Sequence, residues 1–286
     1  RSNYGIVSEH PELFDINKGN VGTPNGFGDW MHVNTISYNI NYNQIVFSSS
    51  KQNEIFVIDH GTNTLEAAGH TGGNYNKGGD FLYRWGNPQN YDRGDESNRI
   101  LGHQHGINWI PNGYPGEGNF ILLNNDTNEA FEFITPIDNE GNYFIEDAQP
   151  YGPDYTVWNS SYLSTTMQGG AFRLPNGNTL LTDCDNATIK EITEQGLTIW
   201  SHSIPGAGEI NNIQIARAQK YSLDYFDNID NLMLGDINGD ILINIQDLIL
   251  TVNLVLNNEY NIFADLNLDD IIDILDIVEL VYIILD

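Results

Sequence analysis

The chain has 286 residues, is 40% hydrophobic and carries 39 acidic against 11 basic side chains, a formal net charge of −28. That length and apolar content suit about two folded domains, while the charge repels phosphate backbones and anionic lipid surfaces and excludes nucleic acid as a partner. A single cysteine, Cys184, rules out an internal disulfide, so core packing or metal must hold the fold.

Arg1 opens the chain with neither an initiator Met nor an apolar leader, and no unbroken apolar run approaches about 20 residues. The chain therefore reads as a mature or trimmed, soluble protein without a membrane span. Its charge is uneven: residues 1–218 carry a net −15, 219–233 a net −2, and 234–286 a net −11 from eleven acids and no Lys or Arg.

Through residue 218 the pattern is of short Val, Ile, Phe, Tyr, Trp and Thr runs broken by Gly and Asn, which tolerate the positive φ of tight turns. Stacking these runs shows a loose repeat. One unit places strands at 32–36, 44–47, 54–58 and 81–85. The next places them at 106–113, 119–123, 129–134 and near 157–158, and a third at 170–177, 178–182, 188–193 and 197–200. Four strands per unit, with a Pro-Asn-Gly or Asn-rich hairpin after the first and an aromatic in the last, describe a β-propeller blade enlarged by loops. Propellers close with about four to eight blades. Three blades leave the ring short, and the rest must come from a removed upstream segment, another polypeptide or a second copy.

The stretch 219–233 loses the strand pattern and reads as a linker. Beyond it stand two similar units, DINGDILINIQD at 236–247 and DLNLDDIIDILD at 265–276, offset by 29 residues and each followed by an apolar helical stretch. A loop offering oxygens at positions 1, 3, 5, 7, 9 and 12 wraps Ca²⁺. Asp236, Asn238, Asp240, the Leu242 carbonyl, Asn244 and Asp247 fill those positions in the first loop. Asp265, Asn267, Asp269, the Ile271 carbonyl, Asp273 and Asp276 fill them in the second. A tail of carboxylates with no Lys or Arg repels itself, so calcium is expected to gate its folding. The Asp-x-Asn-x-Asp openings and the Asp at position 12 resemble a type I dockerin, a duplicated calcium module, and that resemblance implies docking onto a cohesin-like partner. Ile241 and Asp270 stand where such loops carry Gly at position 6, which predicts a distorted or weaker first site.

In the β-rich part, His32, His103 and His105 fall at the openings of the first strands, where the loops of a propeller converge on its channel; each also suits a structural histidine. The stretches Asp29 to Asn34, Asn53 to Asp59, Ala67 to Asn74, Arg84 to Pro88, Gln104-His105 and Arg173 to Leu180, closing with Ala216-Arg217-Ala218, Tyr221 and Asp224-Tyr225, resemble the arylsulfotransferase family over nearly all of residues 1–226. The resemblance implies a secreted six-bladed propeller that moves a sulfuryl group from an aryl sulfate to a phenol through a histidine nucleophile, aided by further histidines and an Arg. By motif, His32 and His105 match two of the family's histidines. The region matching the family's Arg reads Asp126 to Glu132, with Glu or Asn in place of the cation, and Tyr162 to Gln168 lacks a further His. An acidic pocket facing a sulfate opposes that chemistry.

The tryptophans Trp30, Trp85, Trp109, Trp158 and Trp200 suit a core between blades better than a stacking surface. Asn125, Asn159 and Asn186 each open an Asn-x-Ser/Thr sequon. The reading is of a mainly β protein, with propeller blades over 1–218, a linker over 219–233 and an α-helical, dockerin-like calcium module over 234–286. Its expected role is an extracellular, calcium-stabilised structural or anchoring protein that assembles with a protein partner or neighbouring subunit through its tail. The alternative is a secreted aryl-sulfate sulfotransferase with aryl sulfate and phenol as ligands, and a carbohydrate- or phenol-binding protein without chemistry is a third.

Overall fold

A computed structural model describes residues 5–17, 29–205, 214–221, 234–240 and 242–285. The chain forms two compact units, Arg1–Lys220 and Tyr221–Asp286.

The first unit is mainly β. Strands β1 (Val33–Asn39), β2 (Gln44–Ser49), β3 (Glu54–Asp59) and β4 (Tyr83–Trp85) form one antiparallel sheet in chain order, and the short helix α1 (Thr64–Ala67) lies in the β3–β4 connection. Strands β5 (His105–Trp109), β6 (Phe120–Asn124), β7 (Glu129–Phe133) and β8 (Trp158–Asn159) form a second sheet. The third holds β9 (Gly170–Arg173), β10 (Thr179–Asp183), β11 (Thr188–Ile192) and β12 (Thr198–Ser203). Each strand expected from the repeat is present in its expected sheet, with β8 reduced to two residues.

The sheets meet through their first strands, with β1 beside β5 and β5 beside β9. Strand β6 shows why the middle sheet is apolar throughout. Successive side chains point to opposite faces, so Phe120 and Leu122 enter the core shared with Val57, Tyr83 and Trp85 of the first sheet, while Ile121 and Leu123 enter the core shared with Ala171, Leu181 and Ile192 of the third. Trp85 stacks on Phe133 with ring centroids 3.9 Å apart, and Trp109 packs on Phe120. Two buried ion pairs complete the packing: Arg84 donates to both carboxylate oxygens of Glu54 at 2.9 and 2.6 Å, and Arg173 bonds Glu132 across the second and third sheets.

The two outer faces of this array differ. Over the first sheet, Phe14 brought up from the N-terminal segment joins Phe56, Phe81 and Trp30 in an aromatic cluster. On the third sheet, Leu180, Ile189 and Trp200 line a cleft of about 420 Å³ bounded by Ala218, Gln219 and Lys220. Trp200 is 49% exposed and stacks on His202, so it does not join the core expected for the tryptophans.

The second unit pairs helix α2 (Ile245–Asn257) with α3 (Ile274–Leu285). Asn244 caps α2 by accepting the Gln246 N–H at 2.8 Å, while Asp247 accepts the Asn244 N–H in return, a capping box. Among the described residues, no helix is long and apolar enough to cross a membrane.

Candidate functional site

Three histidines come together where β1 and β5 begin. Gln104 anchors the loop that carries two of them. It is buried, and its Nε2 donates to the Ser48 hydroxyl and to the carbonyls of Ser49 and Glu54 at 2.9 to 3.1 Å. Asn34 at the start of β1 donates to the Gln104 carbonyl at 2.8 Å. With Gln104 held inward, its neighbours His103 and His105 lie on the open side, His103 exposed and His105 half-buried.

His32 and His103 both adopt left-handed backbone, with φ of 47° and 51°. That region is uncommon for residues other than Gly, and strain of this kind concentrates at functional sites. The β2–β3 loop holds both in place: Ser50 N–H donates to the His32 carbonyl at 3.2 Å, Asn53 Oδ1 accepts the His103 N–H at 3.0 Å, and the Ser50 hydroxyl lies 3.5 Å from His103 Nδ1. Asp29 Oδ2 sits 2.6 Å from His32 Nδ1 and orients that ring.

His105 is the most constrained of the three. Its Nδ1 faces two acceptors, the His103 carbonyl and Asn125 Oδ1, each at 2.8 Å. The Asn125 amide is oriented by its own donors, since Nδ2 bonds the carbonyls of Thr165 at 2.5 Å and Gln168 at 2.9 Å. Nδ1 therefore carries the proton and Nε2 keeps its lone pair. Burial lowers the imidazole pKa below its usual value, and the charges of His32 and His103 lower it further, against the opposing hydrogen bonds from Asn125 and the His103 carbonyl.

Asn125 did not stand out in the sequence as part of this site. A signal was present: it lies four residues before β7, as Ser50 lies four before β3 and Cys184 four before β11. All three face the chain leading into the next first strand, through Ser50 to His103, Asn125 to Gln168 and Cys184 to Ile215, and Asn125 also bonds His105 at the head of its own sheet. Because the Asn125 amide is buried and bonded, it is not an acceptor for a glycan, whereas Asn159 and Asn186 are exposed.

The acids of the stretch 126–132 are partly matched. Asp126 pairs with Arg99 at 2.7 Å and Glu132 with Arg173. Glu129 accepts from Asn159 at 3.4 Å.

Residues 12–144 match the sequence model of the arylsulfotransferase (ASST) family. The match covers the first sheet, β5 to β7 of the second and all three histidines, and it falls short of half the chain. No curated protein matches. Solved structures similar to the chain include a protein of unknown function from Bacteroides caccae (11% identity, 61% of this chain and 47% of that one, TM-score 0.34). Virginiamycin B lyase from Staphylococcus aureus is similar at 14% identity over 64% of this chain and 43% of its own, with a TM-score of 0.33. BamB from Moraxella catarrhalis is similar at 11% identity over 69% and 46%, with a TM-score of 0.36. The chain spans less than half the length of each of these proteins.

In the second unit, the two loops share one arrangement. Asp247 at position 12 accepts the N–H groups of Ile237, Asn238 and Asn244, and Asp276 accepts those of Leu266, Asn267 and Asp273. Asp236 and Asp265 at position 1 accept the N–H of Asp240 and Asp269, each at 3.1 Å. Asp236, Asp247, Asp265 and Asp276 are all buried, in a unit whose sequence has no Lys, Arg or His. Buried carboxylates in such a setting suit a hard cation with oxygen ligands. Asn238, Asp240, Asn244, Asn267, Asp269 and Asp273 lie at the remaining side-chain positions, and Leu242 and Ile271 at position 7. Among the described residues, no three His, Cys, Asp or Glu side chains converge as a ready cation cage. Asp270 at position 6 takes the left-handed φ of 64° that the turn requires, while Ile241 lies outside the described residues, as do Asp224, Tyr225 and most of the linker.

Proposed function

We propose that this protein is a secreted aryl-sulfate sulfotransferase of the arylsulfotransferase type, its three sheets being blades of a larger β-propeller and His105 the nucleophile. The observation that carries the reading is His105 itself: Nδ1 is committed to two acceptors, Nε2 has no hydrogen-bond partner among the described residues, and burial lowers the pKa, which favours the neutral imidazole.

In the first step Nε2 attacks the ester sulfur and the aryl S–O bond breaks. The electron pair leaves on the phenolate oxygen, which takes a proton from solvent or an adjacent acid, leaving an N-sulfonated His105. In the second step the acceptor phenol oxygen attacks the same sulfur, the N–S bond breaks with its pair returning to Nε2, and the phenol proton is released. His32, oriented by Asp29, stands at the same opening as a donor to the leaving oxygen. The test is turnover of a chromogenic aryl sulfate with a phenol acceptor. His105→Ala abolishes it and traps no sulfonated enzyme, and turnover unchanged in that variant sinks the reading.

The tail is proposed to bind Ca²⁺ through the twelve positions of its two loops and to anchor the protein to a cohesin-like partner. An architectural role through assembly with neighbouring subunits is the second reading. It is favoured by the apolar cleft around Trp200 on the third sheet. Sizing the full chain with and without a calcium chelator separates the two: calcium-dependent oligomers support assembly, and a calcium-indifferent monomer leaves only the enzyme.

A further inference from the structure

An aryl sulfate is a permanent anion, and a nucleophile kept neutral gives it no counter-charge. The site needs a cation that is not already paired. Arg84 is committed to Glu54, Arg99 to Glu96 and Asp126, and Arg173 to Glu132, while Arg93 bonds the carbonyls of Ser8 and Gln149. Lys190 and Lys220 pair with Asp183 and Glu191, while Lys77 and Lys51, the latter in the β2–β3 loop beside Ser50, have no side-chain partner among the described residues, which makes Lys51 the competing cation. Arg217 is exposed, and alone of the described arginines its guanidinium has no hydrogen bond or ion pair among the described residues.

Its place follows from two glycines. Gly106, directly after His105, packs against Gly170 at the head of β9, so closely that a Cβ on Gly106 would stand 3.0 Å from the Gly170 Cα. A Cβ on Gly170 would in turn meet Cγ and Cδ of Arg217 at 3.3 and 3.5 Å. Gly106 on β5, Gly170 on β9 and the Arg217 stem thus follow one another in contact, beginning next to His105. The backbone around Arg217 is pinned to the third sheet: Ile215 N–H donates to the Cys184 carbonyl at 3.3 Å, Gly169 N–H to the Ala216 carbonyl at 2.9 Å, and Ala218 N–H to the Thr182 hydroxyl at 3.0 Å. A fixed backbone and stem with a guanidinium uncommitted among the described residues is what a preorganised anion grip requires. Its planar fork matches two sulfonate oxygens at once.

We propose that Arg217 binds the sulfonate oxygens of the aryl sulfate at the His105 site. The assignment rests on the sulfuryl-transfer reading for its substrate, and it supplies the cation that the stretch 126–132 lacks. It lies outside the segment that matches the family model.

The experiment uses the full chain in calcium-containing buffer and 4-nitrophenyl sulfate as probe. Binding is measured by titration calorimetry in a His105→Ala background, where no turnover consumes the probe, and kcat and KM are measured with His105 intact. Arg217→Ala is expected to weaken binding at least tenfold and to raise KM, with Arg217→Lys recovering part of the loss. Thermal melting verifies folding of each variant. Binding within twofold of the parent in Arg217→Ala overturns the proposal, as does a loss confined to Lys51→Ala, which would place the anion at the β2–β3 loop. The two readings fail separately. Arg217-dependent binding without turnover in the parent overturns sulfuryl transfer and keeps the anion grip. His105-dependent turnover indifferent to Arg217 does the reverse, and no binding of the probe by any variant overturns both.

Discussion

His105 illustrates how much a single residue owes to its neighbours. Two acceptors fix its tautomer, and burial, with two nearby histidines, disfavours its protonated form. Because the neutral form is the nucleophile, lowering the pH removes activity only as Nε2 is protonated. The acid limb of kcat/KM is therefore expected below 6.5, the ordinary imidazole value. His103→Gln removes one of the like charges yet keeps the backbone carbonyl that bonds Nδ1, so it should move that limb upward; a pH–rate profile of both proteins checks the direction. His105→Ala is expected to cost on the order of 1000-fold or more in turnover. Gly106→Ala is a sharper geometric test. It forces a Cβ onto a residue at φ 73° and within 3.0 Å of the Gly170 backbone, so the opening of β5 must shift, and turnover should fall by at least about 100-fold while the protein stays folded.

At the scale of elements, the strands were legible because alternation and turn chemistry are local properties. Strand β6 reads as an unbroken apolar run because both its faces are covered, and β7 places Phe131 and Phe133 on one side with Ala130 on the other for the same reason. His32 and His105 were legible by motif. Asn125 and Gln104 were not, because their roles depend on contacts 20 and more residues distant in sequence, and an Asn in a sequon looks the same whether its amide is exposed or bonded. The Arg84–Glu54 pair was invisible for the same reason. Burial pushes the Glu54 carboxyl above its usual range while Arg84 pulls it back. Arg84→Met strands that carboxylate, and the expected loss is about 3–5 kcal/mol at neutral pH. Protonation of Glu54 relieves it, so the deficit should shrink as the pH falls toward and through the raised Glu54 value. Chemical denaturation of parent and variant at several pH values checks both the size and the sign.

For the molecule as a whole, the two units divide the charge problem differently. The β-rich unit carries all eleven basic side chains and pairs several with buried acids. The helical unit has carboxylates at 236, 247, 265 and 276 buried under its loops and no basic side chain in its sequence. Calcium held by those loops would offset their repulsion, and at a hundredfold excess over its dissociation constant an ion bound only by the folded state adds about 2.7 kcal/mol. Chelation is thus expected to melt α2 and α3 and leave the three sheets intact. In circular dichroism the helical signal should fall on adding chelator and return with excess Ca²⁺, while the near-ultraviolet signal of the buried Trp85 and Trp109 stays constant. The second loop should also respond to its own turn residue: Asp270 holds a left-handed φ that Gly adopts freely, so Asp270→Gly should lower the calcium concentration at the helix midpoint. A helical signal indifferent to chelator would mean that the buried aspartates are satisfied by the backbone N–H groups they already accept, and the tail would then be a permanent fold rather than a calcium-gated one.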